Sequence, residues 1–379
     1  MDFAFTEEQT LLRNSVQRYL ADNYKYEDWR KFTRSDAGRD PKHWAQFAEL
    51  GLFAAALPEE HGGLGGGALE TMVVMEEFGR ALVVEPYVPT VVIGGGALKY
   101  GGSDAQKAEW LPKIAAGETI MAFAFAEPTG RYNLADLTTT AKKQGGNYVL
   151  SGQKAVVIGA PWADQLVVTA RTAGGRRDEK GVSVFLVAKK TKGVSLRDYP
   201  TMDGSRASEI TFENVEVQAD RLIGEADGGL ALVERVTDEA IAGTCAEATG
   251  AMKVLVDATV EYSKTRKQFG VPIGKFQVLQ HRMVDMFVNY EQALSMTLMV
   301  TLKLDESEAE RKRAASAAKV QIGNSGRFEG QGAVQVHGGM GMTDELNVGH
   351  YFKRLTMIDT LYGSVDHHLK RYAMLDEAA

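Results

Sequence analysis

The chain has 379 residues, 44% hydrophobic and 25% charged, with a net charge of −7 and a single cysteine, Cys245. This is a globular composition, long enough for two or three domains. It argues against nucleic acid as a partner, offers no run of about 18 apolar residues to span a bilayer, and leaves no cysteine pair for a disulfide or cysteine metal cluster. The opening Met-Asp-Phe-Ala-Phe-Thr-Glu-Glu-Gln carries no signal or transit pattern, so the expected compartment is the cytoplasm.

In chain order, Thr6 with Gln9 three residues later forms a capping box, and Leu11, Leu12, Val16, Tyr19 and Leu20 follow at helical spacing. A second helix carries Trp44, Phe47 and Leu50 and stops at Gly51. Residues 58–67 hold too many glycines for a helix and lack the Lys-Ser/Thr end of a phosphate loop, so a plain loop is expected. Helices follow over 69–82, 91–100 and 105–115.

From about Ile120 the period falls to two. Strands are expected at 147–150, 165–170, 182–187 and 209–212, with turns at 144–146 and 174–178. After Gly228-Gly229 the pattern is helical again over 230–266, 277–304, 308–330 and from about Val365, lengths that suit a helix bundle. Glycine-containing loops at 268–274 and 336–342 interrupt it. The expected division is a helical domain over 1–118, a β domain over 119–228 and a helical domain over 229–379.

Glu247 is the only charged residue between Ala240 and Met252, set among Ala, Gly, Thr and Cys. It is either a desolvated carboxylate with the raised basicity of a general base, or a charge facing solvent on an apolar turn. Glu239, next to Asp238, is the alternative carboxylate and is expected on a solvated charged turn. Histidines 337, 350, 367 and 368 have no acidic ligands at metal spacing, so packing or surface roles are expected and no metal. No Ser-His-Asp arrangement with a nucleophile elbow is visible.

The motifs in order are Trp44 then Gly51-Leu52, Pro58-Glu59-Glu60-His61-Gly62-Gly63, Ala126-Glu127-Pro128, Arg266-Lys267-Gln268-Phe269-Gly270 before Phe276-Gln277, and Gln335-Val336-His337-Gly338-Gly339-Met340-Gly341. Together they resemble the acyl-CoA dehydrogenase family over essentially the whole chain, most closely the branch of pimeloyl-CoA dehydrogenase small subunits and related heteromeric members. The resemblance implies a mainly α, α+β fold: an N-terminal helical domain, a central β barrel and a C-terminal four-helix bundle. It also implies FAD, an acyl-CoA thioester, loss of a Cα proton and a Cβ hydride, an electron-transfer flavoprotein as acceptor, and a homo- or heterotetramer. In the family two loops reach across a subunit interface to the FAD pyrophosphate and adenine; they match Arg266, Phe269, Gln277, Gln335, Gly338 and Gly339 here. Backbone at Ala126 and Ile158 matches the ring side.

The chain departs from that pattern where the chemistry lies. The family's Tyr-Glu-Gly-Thr, which carries the usual base, reads Tyr362-Gly363-Ser364-Val365, and the second family home for a base is Ala240 followed by Ile241. Glu247 lies seven residues on, nearly two turns, and its Ala246-Glu247-Ala248-Thr249-Gly250 resembles the base segment of steroid-side-chain heteromeric members. Flavin-side positions are also changed: Ala126 for Thr, Arg131-Tyr132-Asn133 for Gly-Ser-Asp, Val156-Val157-Ile158-Gly159 for Trp-Ile-Thr-Asn, and Val365 and His367 for Thr and Gln. The expectation is a desaturating subunit with Glu247 as base, whose site is completed by a partner. The alternatives are a non-catalytic subunit that completes a paralogous partner's FAD site and, third, a flavin oxidase. The small residues around Glu247 suggest room for a bulky or long acyl group.

Overall fold

A computed structural model describes residues 5–377, mainly helical (57%) with one large sheet. The first helix, α1 (Glu7–Asn23), starts on the expected box: the Thr6 hydroxyl accepts from Gln9 N (3.2 Å) and the Gln9 side chain accepts from Thr6 N (3.0 Å). Next come α2 (Tyr26–Arg34) and α3 (Pro41–Glu49), the latter capped by Asp40 and closed by Gly51 at φ +73°. Then follow α4 (Ala68–Ala81), a π-helical stretch Val88–Gly95 running into α5 (Gly96–Gly101), and α6 (Asp104–Ala115) on a second capping box, Ser103 with Gln106.

The middle segment supplies β1 (Met121–Ala124), β2 (Thr140–Gln144), β3 (Asn147–Ile158), β4 (Gln165–Arg171), β5 (Val182–Ala188), β6 (Val194–Pro200), β7 (Arg206–Val217) and β8 (Leu222–Ile223). They form one eight-stranded sheet in the order β6-β7-β3-β2-β4-β5-β8, with β1 parallel to β4. β4 and β5 are buried along almost their whole length, which is why both read as apolar runs. β3 runs eight residues past its expected end at 150. Its register against β7 shifts between Leu150 and Gly152 and again between Lys154 and Val157, and such bulges erase the alternation by which a strand is recognised.

The C-terminal segment holds α7 (Leu230–Thr265), the short hairpin β9 (Lys267–Gln268) and β10 (Val271–Pro272), α8 (Gln277–Lys303), α9 (Glu308–His337), α10 (Val348–Thr360) and α11 (Val365–Glu377). No helix among the described residues is long and apolar enough to cross a membrane.

By contacts the chain forms two compact units. One gathers the residues up to Arg30, Ala68–Val83 and everything from Ile241; the other gathers Lys31–Gly67 and Val84–Ala240. In the first, α9 is the central helix, packed by α8, α10 and α11. In the second, the sheet is joined to α6, where Gln106 Nε2 donates to the carbonyls of Asp220 (2.7 Å) and Leu222 (2.9 Å).

Candidate functional site

The first unit brings two of the glycine loops together. The chain leaves α7 at Arg266, turns through Phe269 (φ +53°) and Gly270 (φ +83°), and enters α8, while α9 ends at Gly338 (φ +61°). Between them lies a groove of about 730 Å³ lined by Arg266, Phe269, Arg282, Gln335, Gly338 and Gly339, among others. Of the six residues expected from the two loops only Gln277 is absent from its wall; it opens α8 between the lining residues Phe276 and Val278. A Cβ placed on Gly270, Gly338 or Gly339 would meet no atom within 4 Å, so the peptide groups there are open to a ligand.

No carboxylate lines this groove. Arg266 and Arg282 are both exposed, and neither guanidinium has a hydrogen bond or ion pair among the described residues. Two available guanidiniums beside open glycine backbone make an anion site, and that donor set fits a diphosphate. Arg282 was missed by sequence reasoning. It stands on an unbroken helix outside both loops, and its only signal was its spacing from Val278 and Leu279. His337 forms part of the wall, its Nδ1 2.8 Å from Ala333 O, and burial holds its pKa below the ordinary range.

The second unit carries the ring-side positions. Ala155 N donates to Ala126 O (2.8 Å), which ties Ala126 to β3 three residues before Ile158. Glu127 explains why this loop holds its shape. Its carboxylate accepts from Thr138 N (2.7 Å), the Thr138 hydroxyl, Thr139 N (3.0 Å) and the fully buried Lys154 Nζ (2.8 Å). Burial pushes the Glu127 carboxyl upward, but the Lys154 charge and the Thr138 bonds outweigh it and hold it at about 2. Beside it, Val156 sits at φ +51° with 48% of its surface exposed. A β-branched residue rarely adopts that backbone, and the bulge between Lys154 and Val157 imposes it.

Glu247 is 2% exposed, so it does not face solvent. Its two oxygens accept from Arg354 on α10, Nε at 2.6 Å and Nη2 at 2.7 Å, a bidentate ion pair. Small residues beside it, Gly79 and Gly250, serve a helix contact. They let α4 and α7 touch: a Cβ on Gly79 would overlap the Glu247 carbonyl, and one on Gly250 would overlap the Glu76 carbonyl.

The Tyr362-Gly363 segment follows α10, the helix that carries Arg354. Burial raises the Tyr362 phenol, with Arg354 opposing and Glu247 adding to the shift. Gly363 has φ +124°, and a Cβ there would overlap the His368 ring, so position 363 accepts no side chain without moving that imidazole. Its carbonyl accepts from the buried Lys319 Nζ (2.8 Å). Glu239 is not on a solvated turn either. It is 16% exposed and accepts from Tyr100 Oη (2.5 Å) and Arg235 Nε (3.1 Å), and Asp238 is fully buried.

Residues 6–118, 122–215 and 227–374 match the N-terminal, middle and C-terminal domains of acyl-CoA dehydrogenases. A 3-(aryl)acrylate reductase of Clostridium sporogenes is 32% identical over 84% of this chain and 85% of its own length. A probable acyl-CoA dehydrogenase of Bacillus subtilis is 30% identical over 92% of each. The fold is similar to a chain of the ChsE4-ChsE5 complex of Mycobacterium tuberculosis, with TM-score 0.91, 25% identity and 100% of both chains covered. With all three domains matched in order, the chain belongs to the acyl-CoA dehydrogenase family of FAD-dependent oxidoreductases.

Proposed function

We propose that this chain is a subunit of an assembly that desaturates an acyl-CoA thioester between Cα and Cβ, with Glu247 as the base. The observation that carries the reading is a buried carboxylate on α7, Glu247, paired with Arg354 of α10, the helix that precedes Tyr362-Gly363. In the family the usual base comes from the position that is Gly363 here; in this reading the carboxylate comes from α7 instead. FAD, when bound, supplies the acceptor for the Cβ hydride; Arg266, Arg282 and the Gly338-Gly339 backbone are suited to hold its diphosphate. Glu247, in a dry environment, takes the Cα proton.

Electrons pass to an electron-transfer flavoprotein, and the assembly works in the cytoplasm. The altered ring-side residues Ala126, Val156 and Ile158, together with the likeness to a two-component complex, favour the heteromeric branch and a tetramer with a paralogous chain. Glu247→Gln in the intact assembly tests this. Loss of the base is expected to lower kcat by about 10²–10⁴-fold with flavin content unchanged.

One observation favours a second reading. Both Glu247 oxygens are already engaged by Arg354, which is also the ordinary structural use of such a pair. On that reading the chain completes a partner's FAD site and turns over nothing. Native desaturation and an undisturbed flavin spectrum in Glu247→Gln would select it.

A further inference from the structure

We propose that Arg354 is a positioning residue for the desaturation, fixing the plane and aim of the Glu247 carboxylate. This rests on the reading of Glu247 as the base and adds a second residue to it. A glutamate has three side-chain torsions, and on an open surface its carboxylate samples many directions. Here both ends are fixed. The Glu247 backbone lies against Gly79 so closely that no Cβ fits between them, and its carboxylate is gripped through two parallel N–H···O bonds of 2.6 and 2.7 Å.

A planar guanidinium fork restricts rotation of the carboxylate in a way that a single ammonium does not. Each carboxylate oxygen has a second lone pair, so the fork sets the orientation and leaves proton-accepting capacity. Glu247 would form an Oε–H bond as the Cα–H bond breaks, the electron pair entering the new Cα–Cβ double bond, and FAD, when bound, would supply the acceptor for the Cβ hydride. Arg354 does not take the proton or meet the substrate; it acts through the Glu247 carboxylate that it holds.

The test uses the purified, flavin-loaded assembly and the acyl-CoA that the native assembly turns over fastest in a panel of straight-chain, branched and dicarboxylic thioesters. Arg354→Lys keeps the charge and removes the fork. It is expected to lower kcat about 10²-fold, the usual effect of misplacing a reacting group by about an ångström, and to leave KM within about threefold. Exchange of the substrate's Cα hydrogen in D₂O, read by mass spectrometry, should slow by the same factor, with flavin content unchanged.

Native kcat and exchange in a folded, flavin-loaded Arg354→Lys assembly would overturn the inference, as would a loss confined to KM. If Glu247→Gln is inactive in the same series, the base reading survives that failure; if Glu247→Gln is fully active, the base reading itself has failed and takes this inference with it. Should Arg354→Lys not fold, Glu247→Asp carries the test, because it keeps both charges and withdraws the carboxylate by one methylene. A fall in kcat at constant KM supports the inference there, and native turnover overturns it.

Discussion

Glu329 shows what an ionisable side chain does in this fold without the partner that Glu247 has. It sits on α9 with no exposed surface, and neither carboxyl oxygen has a hydrogen-bond partner among the described residues. Burial raises its pKa to about 9, so it is a neutral acid in the folded protein at neutral pH. Its folded pKa exceeds the unfolded value of 4.5. The folded state is therefore favoured below about 4.5 and loses stability as pH rises toward about 9. Glu329→Leu should remove this dependence, raising stability on the order of 1–3 kcal/mol at pH 7 and less at pH 5. Thermal melts of both proteins from pH 5 to 8.5 check it, and a gap that does not widen with pH would refute it. The same contrast limits what sequence alone conveys. A lone charge in a small-residue helix marked Glu247, but the arginine that pairs with it is 107 residues away and nothing local announces it.

Among the elements, those with a strong period or clear stop signals were legible: α1 on its capping box, α3 ending at Gly51, the buried strands β4 and β5, and the long α7 and α8. Those missed have polar or broken patterns. α2 is a densely charged nine-residue helix, β2 and β6 expose most of their side chains, and α10 lies between two glycine signals. α9 was expected to end at Gly330 but continues to His337, because its glycines are packing residues and not stops. A Cβ on Gly330 would overlap the Phe352 ring, and one on Gly332 would come 3.2 Å from Met286 Sδ. The α4–α7 crossing uses glycine in the same way, so Gly250→Ala, which drives a methyl into the Glu76 carbonyl, should cost about 2–3 kcal/mol. Scanning calorimetry should show a melting point lower by several degrees; a change within one degree would mean that the helices separate without strain.

For the whole molecule, the two parts of the proposed FAD site are carried by different compact units, the diphosphate groove by one and Ala126 with Ile158 by the other. The family resemblance assigns those parts to different chains, so flavin retention is expected to depend on assembly. Val284, Phe287 and Val288 are neighbours at helical spacing on α8 and all are exposed, Phe287 by 52%. Val284→Glu combined with Phe287→Glu leaves Arg266, Arg282, Gln335 and Glu247 untouched. It should nonetheless reduce the mass measured by analytical ultracentrifugation and, with it, the bound flavin, while helical circular dichroism stays native. If the chain needs its partner to close the site, flavin must fall in step with mass across a dilution series of the variant. A smaller species that still carries one flavin per chain would show that each chain builds its site alone, and the heteromeric account of Ala126, Val156 and Ile158 would have to be abandoned.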